Sequence, residues 1–224
     1  MAKLILTTFV SLDGVMQAPG GTQEDTSGGF EYGGWQVPFF GDEDMGAFIN
    51  EIFDRSGAYL LGRRTYDIFA GYWPRVTDPQ DPIAARLNTL PKYVVSTTLT
   101  DPAWENTTVI SGDVPAEVAR LKERMEEGEL QIHGSATLAQ SLLEYDADNA
   151  DGVHGNAAPG LIDEVNLLVH PVYLGSGKRL FPEGGQPRAF ELIGTRTTGS
   201  GIAIHTYRPG GRARFEDFDP PPAA

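Results

Sequence analysis

The stretch LQIHGSATLAQSLL, residues 130–143, constrains the fold more than any other. Residues 130–133 read as a short buried strand, Gly134 breaks the run, and Leu138 and Leu142 then recur at helical spacing. Ser135 is the expected N-cap of that helix, because a serine oxygen can accept a backbone N–H that the first turn leaves free. A strand, a glycine turn and a helix N-terminus in succession also make an anion site. The first N–H groups have no partner and the helix dipole favours negative charge there. A pyrophosphate is the natural guest. An ordinary strand-to-helix turn is the alternative, and the rest of the chain has to decide between them.

Two further stretches follow the same logic. LGRRTY, residues 61–66, ends a short buried strand and opens a helix for which Thr65 is the expected cap, with Arg63 and Arg64 beside it. YVVSTT, residues 93–98, reads as a strand ending in the hydroxyls of Ser96, Thr97 and Thr98. In an open α/β sheet, ligands bind outside the carboxyl ends of the strands. All three stretches would therefore face one crevice and suit a ligand with several phosphates, such as a dinucleotide. Arginine grips phosphate with paired N–H groups and stays charged, so Arg63 and Arg64 favour the 2′-phosphate of NADPH over NADH. The usual G-x-G-x-x-G fingerprint is absent after residue 133, and GSGK at residues 175–178 lacks the spacing of a phosphate-binding P-loop and reads as a glycine turn.

Further strands are expected at residues 3–10, 107–110, 163–173, 190–197 and 202–207, and helices at 42–55, near 82 and at 113–125. About eight strands with four or five helices, alternating at first, predict an α/β fold: a mostly parallel sheet with an antiparallel C-terminal edge, flanked by helices. One domain is expected over residues 1–208, with a mobile tail at 209–224 and an acidic loop insertion at 146–160. Residues 15–41 form a long glycine-rich loop carrying Phe30, Tyr32, Trp35, Phe39 and Phe40. Loops of this length are usually functional, and a lid over a planar ligand is the reading, with a loop that only covers core as the alternative. Asp13 sits where the first strand ends and a crevice would open, although Asp before Gly is also a common turn pair. Asp42 and Asp44 suit the first turn of the 42–55 helix.

Lys and Arg total 17 against 31 Asp and Glu, a net charge of -14, which disfavours nucleic acid as a partner. There are no cysteines, so disulfides, thiolate catalysis and cysteine-bound zinc are excluded. His133, His154, His170 and His205 show no metal-ligand spacing, and no metal is expected. No Gly-x-Ser-x-Gly elbow is present. The N-terminal apolar run is too short for a signal peptide and no run reaches membrane-span length, so a cytoplasmic protein acting on a small molecule is expected.

LGRRTY, LPKYVVSTT and HGSATL, in this order and spacing, resemble the dihydrofolate reductase superfamily. VSLDG, SGGFEYGGW and GLIDEVNLLVHPVYLGSGKRLFP resemble its branch that contains the C-terminal reductase domain of the bacterial riboflavin-biosynthesis deaminase/reductase. The resemblance spans residues 3 to about 207. It implies an eight-stranded mixed sheet, NADPH as hydride donor and often a homodimer. Carried over by motif, Gly62, Arg63, Arg64 and Thr65 would hold the cofactor phosphates, and Ser96, Thr97 and Thr98 would sit by the 2′-phosphate. Gly134, Ser135, Ala136, Thr137 and Leu138 would cradle the pyrophosphate. Val10 and Ser11 would flank the nicotinamide. Asp13 would face the substrate as the catalytic residue, with Trp35, Phe40 and Asp42 on the substrate side. The implied reaction is hydride transfer to a heterocyclic or ribosylamino-pyrimidine substrate, with protonation by water or Asp13. Folate reductases carry Gly-Gly where this chain has Gly134-Ser135, and their pterin-binding acid lies closer to the Trp-x-x-Pro pattern than Asp42 does. Pterin reduction is therefore an alternative, as is a non-catalytic nucleotide- or flavin-binding protein.

Overall fold

The computed structural model describes residues 1–145 and 160–217. Eight strands form one sheet: β1 (Leu4–Val10), β2 (Ser56–Gly62), β3 (Lys92–Val95), β4 (Thr107–Ile110), β5 (Glu129–His133), β6 (Glu164–Val169), β7 (Arg188–Thr197) and β8 (Ala203–Arg212). Their order is β4-β3-β2-β5-β1-β6-β8-β7. The first six run parallel, and β8 and β7 add an antiparallel edge. The expected mixed sheet is the one observed. Strand β1 is apolar along nearly its whole length because it is buried between β5 and β6 with both faces covered.

Five α-helices cover the sheet: α1 (Glu43–Asp54), α2 (Arg63–Tyr72), α3 (Pro82–Thr89), α4 (Val114–Arg124) and α5 (Ala136–Glu144). Alternate residues of β2 show how the faces divide. Ala58 and Leu60 pack with Val118, Leu121, Leu138 and Leu142 of α4 and α5, whereas Tyr59 and Leu61 pack with Phe53, Tyr66 and Leu87 of α1, α2 and α3. Aspartates cap three of these helices: Asp42, Asp81 and Asp113 accept from Met45 N, Ala84 N and Ala116 N.

Several expected boundaries shift, each for a local reason. The strand expected at 163–173 ends at Val169, since Pro171 has no N–H to donate and Val172 N turns back to His170 O at 2.7 Å. The hydroxyl end of YVVSTT is a turn and not strand, because Ser96 Oγ accepts from Thr98 N at 3.2 Å and Leu99 N at 3.0 Å. Helix α2 begins at Arg63 with Gly62 in the cap position, so Thr65 lies inside the first turn and does not cap it. Strand β8 runs to Arg212, paired with Arg188 of β7, and the boundary expected at residue 208 falls within it. Most of the 146–160 insertion and the end of the tail lie outside the described residues.

Candidate active site

The carboxyl ends of β3, β2, β5, β1 and β6 stand side by side in the sheet. The residues that follow them therefore share one rim, and on it the three sequence motifs meet. Ser135 Oγ accepts from Gly62 N at 3.0 Å and donates to Thr65 Oγ1 at 3.0 Å, joining the β5–α5 and β2–α2 junctions. Arg63 Nη1 donates to Thr98 Oγ1 at 3.3 Å, joining β2–α2 to the turn after β3, while Arg63 Nε reaches Asp67. Thr97 and Arg64 are exposed beside them.

Ser135 holds the N-cap position of α5 but does not cap it with its side chain. Its hydroxyl is turned toward Gly62 and Thr65. The first N–H groups of α5 are thus left without that partner, on the same rim as the start of α2. The backbone here is strained: Gly134 has φ 58° and Ser135 φ 54°, two left-handed residues in succession. For a non-glycine residue that conformation costs about 1 kcal/mol, and such strain clusters at functional sites. A Cβ on Gly134 would find its nearest neighbour in Thr65 Oγ1 at 3.7 Å, so the space over this turn is open. Two helix N-termini, two arginines and exposed hydroxyls make a donor set that fits a dinucleotide's phosphates. Ala136 and Thr137 form the first turn of α5, and Leu138 is buried beneath it.

The other half of the rim follows β1 and β6. Val10 and Ser11 are buried there. Asp13 does not stand open to a crevice. Oδ1 accepts from Ser11 Oγ at 2.7 Å and Leu174 N at 3.1 Å, and Oδ2 from Gly175 N at 2.9 Å and Arg179 Nη2 at 3.2 Å. Burial alone would raise its pKa, but the hydrogen bonds from Ser11, Leu174 and Gly175 outweigh burial and hold it at about 2. Asp42 is similarly committed. Oδ1 caps α1 through Met45 N, and Oδ2 accepts from Ser200 N at 3.0 Å in the turn between β7 and β8.

The 15–41 segment is ordered by specific contacts. Trp35 Nε1 donates to Gln17 O at 2.8 Å, and Gln17 Nε2 donates to Asp25 O and Ser27 O, both at 3.0 Å. Trp35 is buried and Phe40 is 58% exposed. His170, at the end of β6, is fully buried with Phe9, Trp35 and Phe39 set edge-on around it at centroid distances of 5.2–5.8 Å. Its Nδ1 lies 2.9 Å from Leu168 O. Burial lowers its pKa, so the ring is neutral and Nδ1 carries the proton toward that carbonyl. Sequence reading did not single out Phe9, His170, Asp25, Lys178 or Arg179 as site residues. Lys178 and Arg179 lie in the LGSGKRLFP part of the stretch quoted for the resemblance, where GSGK reads as a glycine turn.

Comparison with known proteins fits this geometry. The RibD C-terminal domain model matches residues 2–204. The chain belongs to the RibD C-terminal domain family. A relative of this RibD C-terminal domain is the uncharacterized protein YyaP of Bacillus subtilis (strain 168), 28% identical over 214 residues and covering 93% of this chain and 96% of that one. Three solved structures share the fold. One, assigned to riboflavin biosynthesis in Shewanella sp. PV-4, has TM-score 0.60 at 22% identity and covers 94% of this chain and 99% of its own. Another is the diaminohydroxyphosphoribosylaminopyrimidine deaminase/5-amino-6-(5-phosphoribosylamino)uracil reductase of Thermotoga maritima, with TM-score 0.56 at 13% identity, covering 93% and 57%. The third is the Enterococcus faecalis dihydrofolate reductase complexed with NADP(H), with TM-score 0.54 at 15% identity, covering 92% and 96%. Among the described residues, no helix is long and apolar enough to cross a membrane.

Proposed function

We propose that this chain is an NADPH-dependent reductase of a heterocyclic or ribosylamino-pyrimidine substrate, akin to the 5-amino-6-(5-phosphoribosylamino)uracil reductases. The observation that carries this reading is the hydrogen-bonded union of three phosphate-suited junctions through Ser135 and Arg63. The bound cofactor would supply the hydride. The chain's own residues bind and orient. Thr65 and Ser135 to Thr137 present hydroxyl and backbone N–H donors to the pyrophosphate, and Gly62 and Gly134, whose own N–H groups are taken by Ser135 Oγ and Thr7 O, leave room for it to approach. Arg63, Arg64, Ser96, Thr97 and Thr98 form the end suited to a 2′-phosphate. Val10 and Ser11 border the nicotinamide end, and the wall of the lid that holds Trp35 excludes water. Aligning the two reactants is the protein's share of catalysis.

Asp13 acts here as a positioning residue. A carboxylate held at about pKa 2 by donors on both oxygens stays ionised at neutral pH and is a poor acid, so the proton comes from solvent. Its work is to fasten the turn after β6 to the end of β1. Asp42, tied to Ser200, is less suited to gripping a pterin, which favours the pyrimidine reading over folate.

The test is consumption of NADPH by the purified protein offered 5-amino-6-(5-phosphoribosylamino)uracil and, separately, dihydrofolate. Turnover of the first alone is expected. Tight NADPH binding with no turnover of any reducible heterocycle would instead support a nucleotide-binding protein without catalysis.

A further inference from the structure

The acid Asp25, from the middle of the lid, reaches two cations on opposite sides of the rim. Its Oδ1 meets Arg64 Nη1 and its Oδ2 meets Lys178 Nζ at 2.6 Å. Ser27 Oγ donates to Asp25 Oδ1 at 2.6 Å and lies 2.8 Å from Arg64 Nη1 and 2.6 Å from Lys178 Nζ. The Asp25 side chain is only 9% exposed while those of Arg64 and Lys178 are 56% and 44% exposed, so a nearly buried carboxylate is met from two sides by half-exposed cations. Arg64 opens the helix after β2, and Lys178 lies in the turn after β6. Strands β5 and β1 stand between those two strands. The contact therefore runs across the carboxyl ends of β5 and β1, over the part of the rim where the nicotinamide half of a dinucleotide would lie.

Arg64 is shared between this contact and the phosphate end. Only its Nη1 is used by Asp25 and Ser27; Nη2 and Nε make no hydrogen bond among the described residues. One guanidinium can thus hold Asp25 on one edge and a phosphate oxygen on the other. The backbone supports the same arrangement, with Gln17 Nε2 bonded to Asp25 O and Ser27 O while Gln17 Oε1 accepts from Lys178 N at 3.0 Å.

We infer that Asp25 is a positioning residue, the clasp that holds the lid across the rim through Arg64 and Lys178 and couples lid closure to phosphate bound at the start of α2. The clasp itself stands on the contacts above. Its coupling to a nucleotide rests on the cofactor reading.

Hydrogen exchange of residues 15–41 tests the clasp without any cofactor. In the apo protein, Asp25→Asn should raise exchange of the lid amides about tenfold while leaving β1 and β5 unchanged, with Lys178→Ala close behind and Lys178→Arg near wild type. Exchange that is unaltered in both Asp25→Asn and Lys178→Ala would overturn the clasp. Stopped-flow dissociation of NADPH then tests the coupling. Asp25→Asn should speed release about tenfold and raise KM for NADPH with a much smaller change in kcat. A looser lid with unchanged NADPH release would overturn the coupling alone. Failure of the wild-type protein to bind NADPH would count against the cofactor reading, and the exchange result would still decide the clasp. Circular dichroism of each variant identifies any that fail to fold, and Lys178→Ala then carries the test from the other side of the contact.

Discussion

The two halves of the rim are built differently. On the half proposed for the cofactor, each junction is a local motif: a strand, a glycine or hydroxyl turn and, after β2 and β5, a helix N-terminus. Single hydrogen bonds such as Ser135 to Gly62 then tie the junctions together. On the half proposed for the substrate, the acids add distant partners to the local ones Ser11, Met45 and Ser27. Asp13 bonds to Leu174, Gly175 and Arg179, Asp42 to Ser200, and Asp25 to Arg64 and Lys178, all across long stretches of chain. The first half presents unused donors toward a ligand. The second spends its charges on holding a long loop in place. In the proposed reading the first half is a general cradle for the cofactor, and the shape of the second follows from how the 15–41 segment is fastened.

Glycine substitutions at matched positions should bring out this contrast most strongly. Gly177 has φ 125°, and a Cβ there would lie 2.5 Å from Val15 Cγ1 and 2.9 Å from Phe30 Cε2, under the lid. Gly177→Ala should cost about 3 kcal/mol in urea unfolding. Gly134→Ala meets open space and should cost only about 1 kcal/mol, from its left-handed backbone, while weakening NADPH. Equal losses of stability at the two positions would erase the distinction between a packed half and an open half.

An effect of similar size separates the halves by pH. His133, at the end of β5, stacks on Phe53 at 4.8 Å, and burial lowers its pKa to about 4 from the usual 6.5. The unfolded chain takes up that proton first as pH falls. Stability is therefore full above about pH 6.5 and declines toward pH 4, by about 3 kcal/mol from this residue. Asp13 has the opposite placement. Its depressed pKa contributes stability above about pH 4 that is lost only as pH falls toward 2. Urea unfolding at pH 7 and pH 4.5 should thus show a loss that His133→Phe removes and Asp13→Asn does not.

The smallest expected change is in turnover. Asp13→Asn should lower stability by about 2 kcal/mol, because the amide nitrogen cannot accept from the donors that meet one of the two carboxylate oxygens, while kcat falls less than about tenfold, because a true proton donor would be worth about a hundredfold or more. A steady-state assay settles it. A loss of a hundredfold in kcat with KM unchanged would return Asp13 to the chemistry.

What the sequence made legible follows the same division. Hydrophobic runs and glycine breaks located the strands of the parallel sheet, and the three motifs located junctions that meet on one rim, since both are written in neighbouring residues. Ser135 and Thr65 were read as helix caps because that is their commonest local role. In the structure they bond to each other instead, a contact between two junctions seventy residues apart that spacing cannot reveal. Asp42 was legible as a residue of the first helical turn and does cap α1, but its second partner, Ser200, and the donor Gly175 on Asp13 lie more than 150 residues away, where spacing cannot reveal them. Asp25 gave no signal at all; an acid in a polar glycine-rich loop is unremarkable until Arg64 and Lys178 are brought to it by the order of the strands.

The central claim is that the junctions after β2, β3 and β5 form one NADPH cradle, and calorimetric titration tests it most directly. NADPH should bind the wild-type protein at least about tenfold more tightly than NADH, and Arg63→Ala should remove most of that preference. If neither nucleotide binds, or if both bind equally and Arg63→Ala changes nothing, the cradle as described here is contradicted.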